Sequence, residues 1–237
     1  MKLHIFGDSH VMALHKGAQS LEQKLAQASV DADFYCRQGP NWWNVRTHKK
    51  GHALRFRTAC TWEPLLDYTV DQPNDIYVFC APLHTAELWR DPTWHHFCPW
   101  RSIKDFPSLH PLSDGIIESV IDRQVNTTLG MLKEMKELGY MVLVAEPPKP
   151  LQKGPQVGQF DPRVVVSVDR FFRAYVTRRL VDLGVPVIRV PEFTHCDGLT
   201  PDQYSDPRPN DTHHGSAEFG AAMMKQIVQV TAGVTLN

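Results

Sequence analysis

Short apolar runs alternate with helical periodicity along the whole chain. The apolar runs that predict β-strands are Lys2–Phe6, Ala32–Cys36, Asp75–Cys80, Tyr140–Ala145 and Val185–Val190. The fourth run is almost entirely apolar, as expected for a strand that is covered on both faces. Because the predicted strands alternate with predicted helices through short turns, we expect a parallel sheet with helices packed on both faces.

Four segments carry the spacing of three and four that predicts helices. The first follows Ser9, with apolar residues from Val11 to Leu25; the second runs from about Ser113 to Leu138; the third opens at Asp161-Pro162; and the last begins near Ser216. No repeat, low-complexity tract or linker interrupts the pattern. We therefore expect residues 1–237 to form one domain, with a tryptophan-rich insertion around residues 82–112.

The composition and net charge of the chain limit the kinds of partner that it is expected to bind. The chain has 237 residues, 42% of them hydrophobic, and a net charge of −1, so the overall charge gives no indication of a nucleic-acid-binding surface or a polybasic membrane patch. No apolar run approaches the roughly 20 residues of a membrane span. The start has no signal-peptide pattern, and five cysteines without paired spacing are typical of reduced thiols. We expect a cytoplasmic protein; the pattern leaves the oligomeric state open.

Polar residues follow the predicted strands. In a parallel sheet, ligands bind outside the carboxyl ends of the strands, so the loops after each strand share one edge. Those loops are Gly7-Asp8-Ser9, Gly39-Pro40-Asn41, Ala81-Pro82-Leu83-His84, Glu146-Pro147-Pro148 and residues 191–215. Residues from both ends of the chain are therefore expected to converge there.

Ser9 has two interpretations. Asp and Ser are favoured at helix starts, so Gly-Asp-Ser can simply cap a helix. A serine nucleophile instead requires a histidine that takes its proton and a carboxylate that orients the histidine. Asp211 and His214 stand three residues apart before the last helix, close enough for such a pair. The alternative for this stretch is a polar loop that caps the last helix through Ser216.

Gly7-Asp8-Ser9 after the first strand, with Asp211-Thr212-His213-His214 before the last helix, resembles the GDSL or SGNH hydrolases. The resemblance implies a flavodoxin-like three-layer α/β/α fold around a five-stranded, mainly parallel sheet. It implies Ser9 as nucleophile, His214 as general base and acid, and Asp211 as the orienting carboxylate. It also implies an oxyanion hole built from the N–H groups of Ser9 and Gly39 and an asparagine side chain.

The third predicted strand departs from that family pattern. The family's asparagine is absent after it, and His84 is the nearest polar side chain. An imidazole N–H can donate to an oxyanion, so His84 is either a replacement donor or a loop histidine with a structural hydrogen bond. His213 competes with His214 as base, and the family motif favours His214. His10 is expected to pack at the helix start.

All six tryptophans lie between residues 42 and 100. Trp42 and Trp43 adjoin Gly39, and we predict them as substrate contacts together with Asp8 and Asn41. The remaining tryptophans of the insertion form either a substrate wall or lid, or a hydrophobic cluster beneath a loop or at a subunit interface. Three further residues, His95, His96 and Cys98, lack a second ligand pair at zinc-like spacing, so no metal or cofactor is expected.

The sequence therefore predicts a serine esterase acting on a small-molecule acyl ester. Small O-acyl groups on a carbohydrate are the substrates to test first. Two alternatives stay open. One is an O-acyltransferase that uses the same triad, and the other is a non-catalytic binding module on the same fold.

Overall fold

A computed structural model gives the fold and describes residues 1–36, 45–58, 67–154, 161–209 and 211–233. The strands in these ranges are β1 (Lys2–Gly7), β2 (Asp31–Cys36), β3 (Val45–Lys50), β4 (Ala53–Thr58), β5 (Asp67–Val70), β6 (Ile76–Phe79), β7 (Phe97–Pro99), β8 (His110–Leu112), β9 (Met141–Ala145) and β10 (Val187–Ile188). The α-helices are α1 (Val11–Ser20), α2 (Glu22–Gln27), α3 (Ala86–Trp89), α4 (Asp114–Glu137), α5 (Pro162–Asp182) and α6 (Ala217–Ala232).

The central sheet contains the five strands expected from the sequence. Its order is β10-β9-β6-β1-β2, and every neighbouring pair is parallel. When only the five strands of this sheet are numbered in chain order, their arrangement is the doubly wound order of flavodoxin-like folds. β1 lies between β6 and β2, so the residues that follow it emerge near the middle of the sheet.

Side chains alternate between the two faces of β1. Leu3 and Ile5 pack with α1 and α6 on one face, while Phe6 packs with α4 and α5 on the other. Helices cover both faces, and the predicted three-layer α/β/α architecture is confirmed.

A second sheet, β3-β4-β5, is antiparallel and did not follow from the sequence analysis. Leu54 and Phe56 of β4 are fully buried, and the Phe56 ring lies 5.4 Å from that of Phe6. Lys50 pairs with Ala53 across a two-residue turn in which Gly51 has a φ of +61°. This sheet therefore extends the core on the α4 and α5 side.

Residues 82–112 contain α3, two 3₁₀ turns and the short parallel pair β7-β8. Trp89 and Trp94 are 2% and 5% exposed, and they belong to the same core cluster as α4 and α5. The Trp94 indole N–H donates to the Leu88 carbonyl at 2.8 Å. The substrate-wall interpretation is therefore wrong for these two tryptophans, whereas Trp100 is 59% exposed.

Helices α1 and α6 are in backbone contact. A Cβ atom on Gly220 would lie 1.7 Å from the Ala13 carbonyl oxygen, and one on Gly17 would lie 2.1 Å from the Ala221 nitrogen. Only glycine permits this approach. The contact joins the helix that follows Ser9 to the helix that follows His214.

None of the helices in the described ranges is long and apolar enough to cross a membrane. In the same ranges Cys36, Cys80, Cys98 and Cys196 carry free thiols.

Candidate active site

Ser9 lies in the turn between β1 and α1. The carbonyl groups of Asp8 and Ser9 accept hydrogen bonds from the N–H groups of Val11 and Met12, both at 3.1 Å, and these bonds start the helix. The Ser9 hydroxyl oxygen lies 2.5 Å from Nε2 of His214. The side chain of Ser9 is therefore directed to the imidazole rather than to capping α1, while its backbone takes part in the helix start.

His214 lies just before α6. Nδ1 of His214 lies 2.7 Å from Oδ2 of Asp211, and Oδ1 of Asp211 accepts the backbone N–H of His214 at 2.8 Å. Ser216 also accepts the Phe219 N–H at 3.3 Å, so this loop caps α6 as well as holding the imidazole. The two interpretations of the loop are thus compatible.

The Asp211 carboxylate is held in its ionised form. Burial raises the pKa of Asp211. The backbone N–H groups of His214 and His213 and the His214 imidazole lower it by a larger amount, so the pKa lies below its ordinary value. An ionised carboxylate beside Nδ1 fixes the proton there and leaves Nε2 as the acceptor for the Ser9 hydroxyl.

His213 is hydrogen-bonded by residues other than Ser9. Arg90 donates to its Nδ1, and the Thr212 hydroxyl lies 3.1 Å from the same nitrogen. Burial lowers the pKa of His213 to about 2, and the nearby imidazoles and Arg90 contribute in the same direction. The structure thus places His214, and not its neighbour, against the serine.

A second carboxylate–imidazole pair lies beside the first. Asp8 is 1% exposed; its Oδ2 bonds Nδ1 of His84 and its Oδ1 accepts the His10 N–H at 2.9 Å. Burial raises the pKa of Asp8, but the two imidazoles and these hydrogen bonds hold it well below its usual range. Both carboxylate oxygens are engaged by the protein, so Asp8 lies beneath the site instead of lining it, contrary to its predicted substrate contact.

This pairing was missed at the level of sequence. The signal was available, since Asp8 and His84 both follow neighbouring strands of the sheet, β1 and β6. With Nδ1–H donated to Asp8, Nε2 is the nitrogen of His84 that is left for a ligand, and it is a donor when the ring is protonated.

His10 does more than pack at the start of α1. It is 5% exposed, its ring lies 4.7 Å from that of His84 and 5.4 Å from that of His214, and its Nδ1 has no hydrogen-bond partner among the described residues. Burial is the largest of the influences that lower its pKa well below the ordinary value, so the ring stays neutral. The rings of His10, His84 and His213 therefore group around that of His214, the histidine that contacts Ser9.

The backbone N–H of Ser9 donates to no acceptor among the described residues, which leaves it free for an oxyanion. The other predicted site residues, Gly39, Asn41, Trp42 and Trp43, lie outside the described residues.

Two groups in the described part of the chain have ligand atoms within 4.8 Å of one another, as a metal site requires: His10 with His84 and His213, and Asp211 with His213 and His214. The second group is already engaged in the pairing with Ser9. In both groups the Arg90 guanidinium bonds His213, and its positive charge opposes a divalent cation there. His95, His96 and Cys98 form no such group in these ranges.

No family model and no curated protein matches the chain. Three solved structures match 98% of it: a candidate arylesterase from Agrobacterium tumefaciens (12% identity, TM-score 0.48, 99% of that chain), an acetyl xylan esterase (7%, 0.48, 100%) and a carbohydrate acetylesterase family member from Sinorhizobium meliloti (13%, 0.47, 99%).

Proposed function

We propose that this protein is a serine hydrolase that cleaves carboxylic esters through Ser9, His214 and Asp211. One observation carries the proposal: the hydroxyl, the imidazole and the carboxylate are joined in line, at 2.5 Å between Ser9 Oγ and His214 Nε2 and at 2.7 Å between His214 Nδ1 and Asp211 Oδ2. Residues from opposite ends of the chain have no local reason to align in this way.

In the proposed reaction Ser9 Oγ attacks the ester carbonyl carbon while His214 Nε2 takes the hydroxyl proton. Asp211 stabilises the imidazolium that forms. The carbonyl oxygen becomes an oxyanion, which the Ser9 N–H and the imidazole of His84 receive. Collapse of the tetrahedral intermediate expels the alcohol, which takes the proton from His214. Water, activated in turn by His214, then releases the acid from the acyl-enzyme.

His84 is the proposed replacement for the family's asparagine. Its Nδ1 bonds the buried Asp8 carboxylate, which fixes the ring and leaves Nε2 as the nitrogen directed to a ligand; an Nε2–H is the donor that the proposal assigns to the oxyanion. Loss of one oxyanion donor costs roughly 10²–10³ in rate, so a second donor matters to the proposed activity.

The test is labelling with a fluorophosphonate, followed by peptide mass spectrometry. We expect one adduct, on Ser9, that is lost in Ser9→Ala and reduced at least about 10²-fold in rate in His214→Ala. His110→Ala replaces an exposed histidine outside the site and serves as the matched control. No adduct on folded protein, or equal labelling in His214→Ala, would contradict the proposal and favour the binding module.

A second assay tests the class of substrate and whether the acyl group passes to water or to another acceptor. Small acetylated sugars are offered, and released acetate is measured with and without an added alcohol or sugar acceptor. Hydrolysis predicts acetate release at an acceptor-independent rate. Acetate release that falls as acylated acceptor accumulates would assign the same residues to acyl transfer.

A further inference from the structure

A separate cavity of about 530 Å³ lies where β9 and β10 end, at the edge of the sheet away from β1. Three segments line it: residues 146–149 after β9, one face of α5, and residues 189–198 after β10. Small-molecule sites typically occupy roughly 300–1,000 Å³. None of the three proposed triad residues lines the cavity, so it is distinct from the candidate active site.

Cationic side chains outnumber carboxylates around this cavity. The cations are Lys149, Arg170, Arg173, Arg178 and Arg189, and the carboxylates are Glu146 and Asp169. Such an excess is not a property of the whole chain, whose net charge is −1. The cavity therefore concentrates positive charge locally.

The two carboxylates are already neutralised within the wall. The two carboxylate oxygens of Asp169 share the Arg173 Nε–H, at 2.9 and 3.0 Å, and Oδ1 also accepts the Thr85 hydroxyl at 2.7 Å. Glu146 accepts the Val190 N–H at 3.1 Å and lies 3.8 Å from Arg173 Nη1. These carboxylates face protein donors, and neither of them pairs with Arg170 or Arg189.

Arg173 is a structural part of the wall. It is 4% exposed and also donates to the carbonyl oxygens of Pro147 and Pro148 at 3.1 and 2.8 Å. Arg178 pairs with Glu118 at 3.1 Å. Both guanidinium groups therefore already have a carboxylate partner.

Arg170 and Arg189 differ from these two. In the described ranges, neither side chain makes a hydrogen bond or an ion pair. Lys149 Nζ lies 3.8 Å from Glu146 Oε2, beyond hydrogen-bond distance, and burial followed by the nearby Arg173 lowers its pKa. Lys149 thus keeps a long ion pair with Glu146, whereas Arg170 and Arg189, from two different segments, line the cavity without an anionic partner in the described ranges.

We propose that this cavity binds a small molecule carrying a phosphate group. A phosphate monoester has a charge of about −1.5 to −2 at pH 7, which matches the two unpaired guanidinium groups. Guanidinium forks bond phosphate oxygens in pairs, and Lys149 adds a point charge. The cavity is much larger than one phosphate group, which leaves room for an organic part of sugar size beside the polar wall.

The test is isothermal titration calorimetry on the full chain in a low-salt, phosphate-free buffer. The probes are orthophosphate, glucose 6-phosphate and glucose. We expect saturable one-site binding of a phosphate compound, no binding of glucose, and affinity at least about tenfold weaker in both Arg170→Ala and Arg189→Ala. Tighter binding of glucose 6-phosphate identifies an organic phosphate as the ligand class, and tighter binding of orthophosphate identifies the free ion.

Arg123→Ala is the matched control, because Arg123 is an exposed arginine on α4 outside the cavity. The altered arginines are exposed, so the thermal midpoints of all three variants should equal that of the wild type. Absence of saturable binding, or equal weakening in Arg123→Ala, would overturn the proposal in favour of non-specific attraction to a basic surface.

Discussion

The close contact of α1 with α6 leads to a sharp prediction for Gly220→Ala. The alanine Cβ would lie 1.7 Å from the Ala13 carbonyl oxygen, and real Cβ atoms essentially never come within 3.0 Å of such an atom. The helices must therefore separate by about 1.3 Å, the difference between these distances, because a backbone carbonyl cannot rotate away as a side chain can.

That displacement bears directly on the proposed triad. Ser9 precedes α1 and His214 precedes α6. If the whole shift reaches the site, the separation of Ser9 Oγ from His214 Nε2 grows from 2.5 Å to about 3.8 Å, beyond hydrogen-bond range. A misplacement of about 1 Å can cost roughly 10² in rate. Overpacking should also lower the free energy of unfolding by about 1–3 kcal/mol.

The assay measures kcat/KM on p-nitrophenyl acetate and the thermal midpoint of the same preparations. We expect a rate about 10²-fold lower and a midpoint about 2–10 °C lower for Gly220→Ala. Gly130→Ala is the control: Gly130 is an exposed glycine of α4, and a Cβ there meets nothing within 4 Å. This control should keep the rate and gain about 0.5–1 kcal/mol in stability.

Two results would refute the reasoning in different ways. An unchanged midpoint in Gly220→Ala would show that the helices are not held at the distance described. A lowered midpoint with a full rate in the folded fraction would show that the contact stabilises the fold without positioning Ser9 against His214.

Further predictions concern single side chains. Asp211→Asn should lower kcat on p-nitrophenyl acetate by about 10³–10⁴, because an amide no longer fixes the proton on Nδ1 of the base; a loss of less than tenfold would contradict the orienting role. His84→Ala should lower kcat by about 10²–10³ with KM little changed, whereas His84→Asn should recover much of it as a neutral donor; equal losses in both variants would argue against oxyanion donation. Asp206 is buried, which raises its pKa, but hydrogen bonds from Arg208 outweigh this and bring the value to about 2. Because the folded pKa lies below the unfolded one, Asp206 stabilises the fold above about pH 4 and ceases to do so as the pH falls towards 2; Asp206→Asn should lose about 1–2 kcal/mol at pH 7 and show a weaker acid dependence in urea titrations between pH 4 and 2.

The sequence was sufficient for the central sheet because strand and helix periodicities are local properties of the chain. The five apolar runs and the helical spacing between them predicted all five strands and the three layers. The same logic brought Ser9 and Asp211–His214 to one edge, since the carboxyl ends of parallel strands meet there.

The sheet β3-β4-β5 was missed for an identifiable reason. β4 alternates buried Leu54 and Phe56 with outward Arg55 and Arg57, so its mean hydropathy is low although its period of two is regular. The charged residues on the solvent face weakened the apolar signal of a strand whose other face packs on the core. The tryptophans of the insertion led to the opposite error, because they suggested a binding surface where the structure has a buried cluster. Aromatic composition alone does not distinguish the two.

By itself, the sequence determined which residues form the central sheet and which polar residues lie at its carboxyl edge. The choice of His214 over His213 already followed from the resemblance in the sequence. Only the tertiary structure decided that Asp8 pairs with His84 beneath the site rather than lying beside a substrate. The physical reason is one of range. Periodic burial is encoded between residues a few positions apart, whereas hydrogen bonds across 76 or 205 residues depend on how complete layers pack.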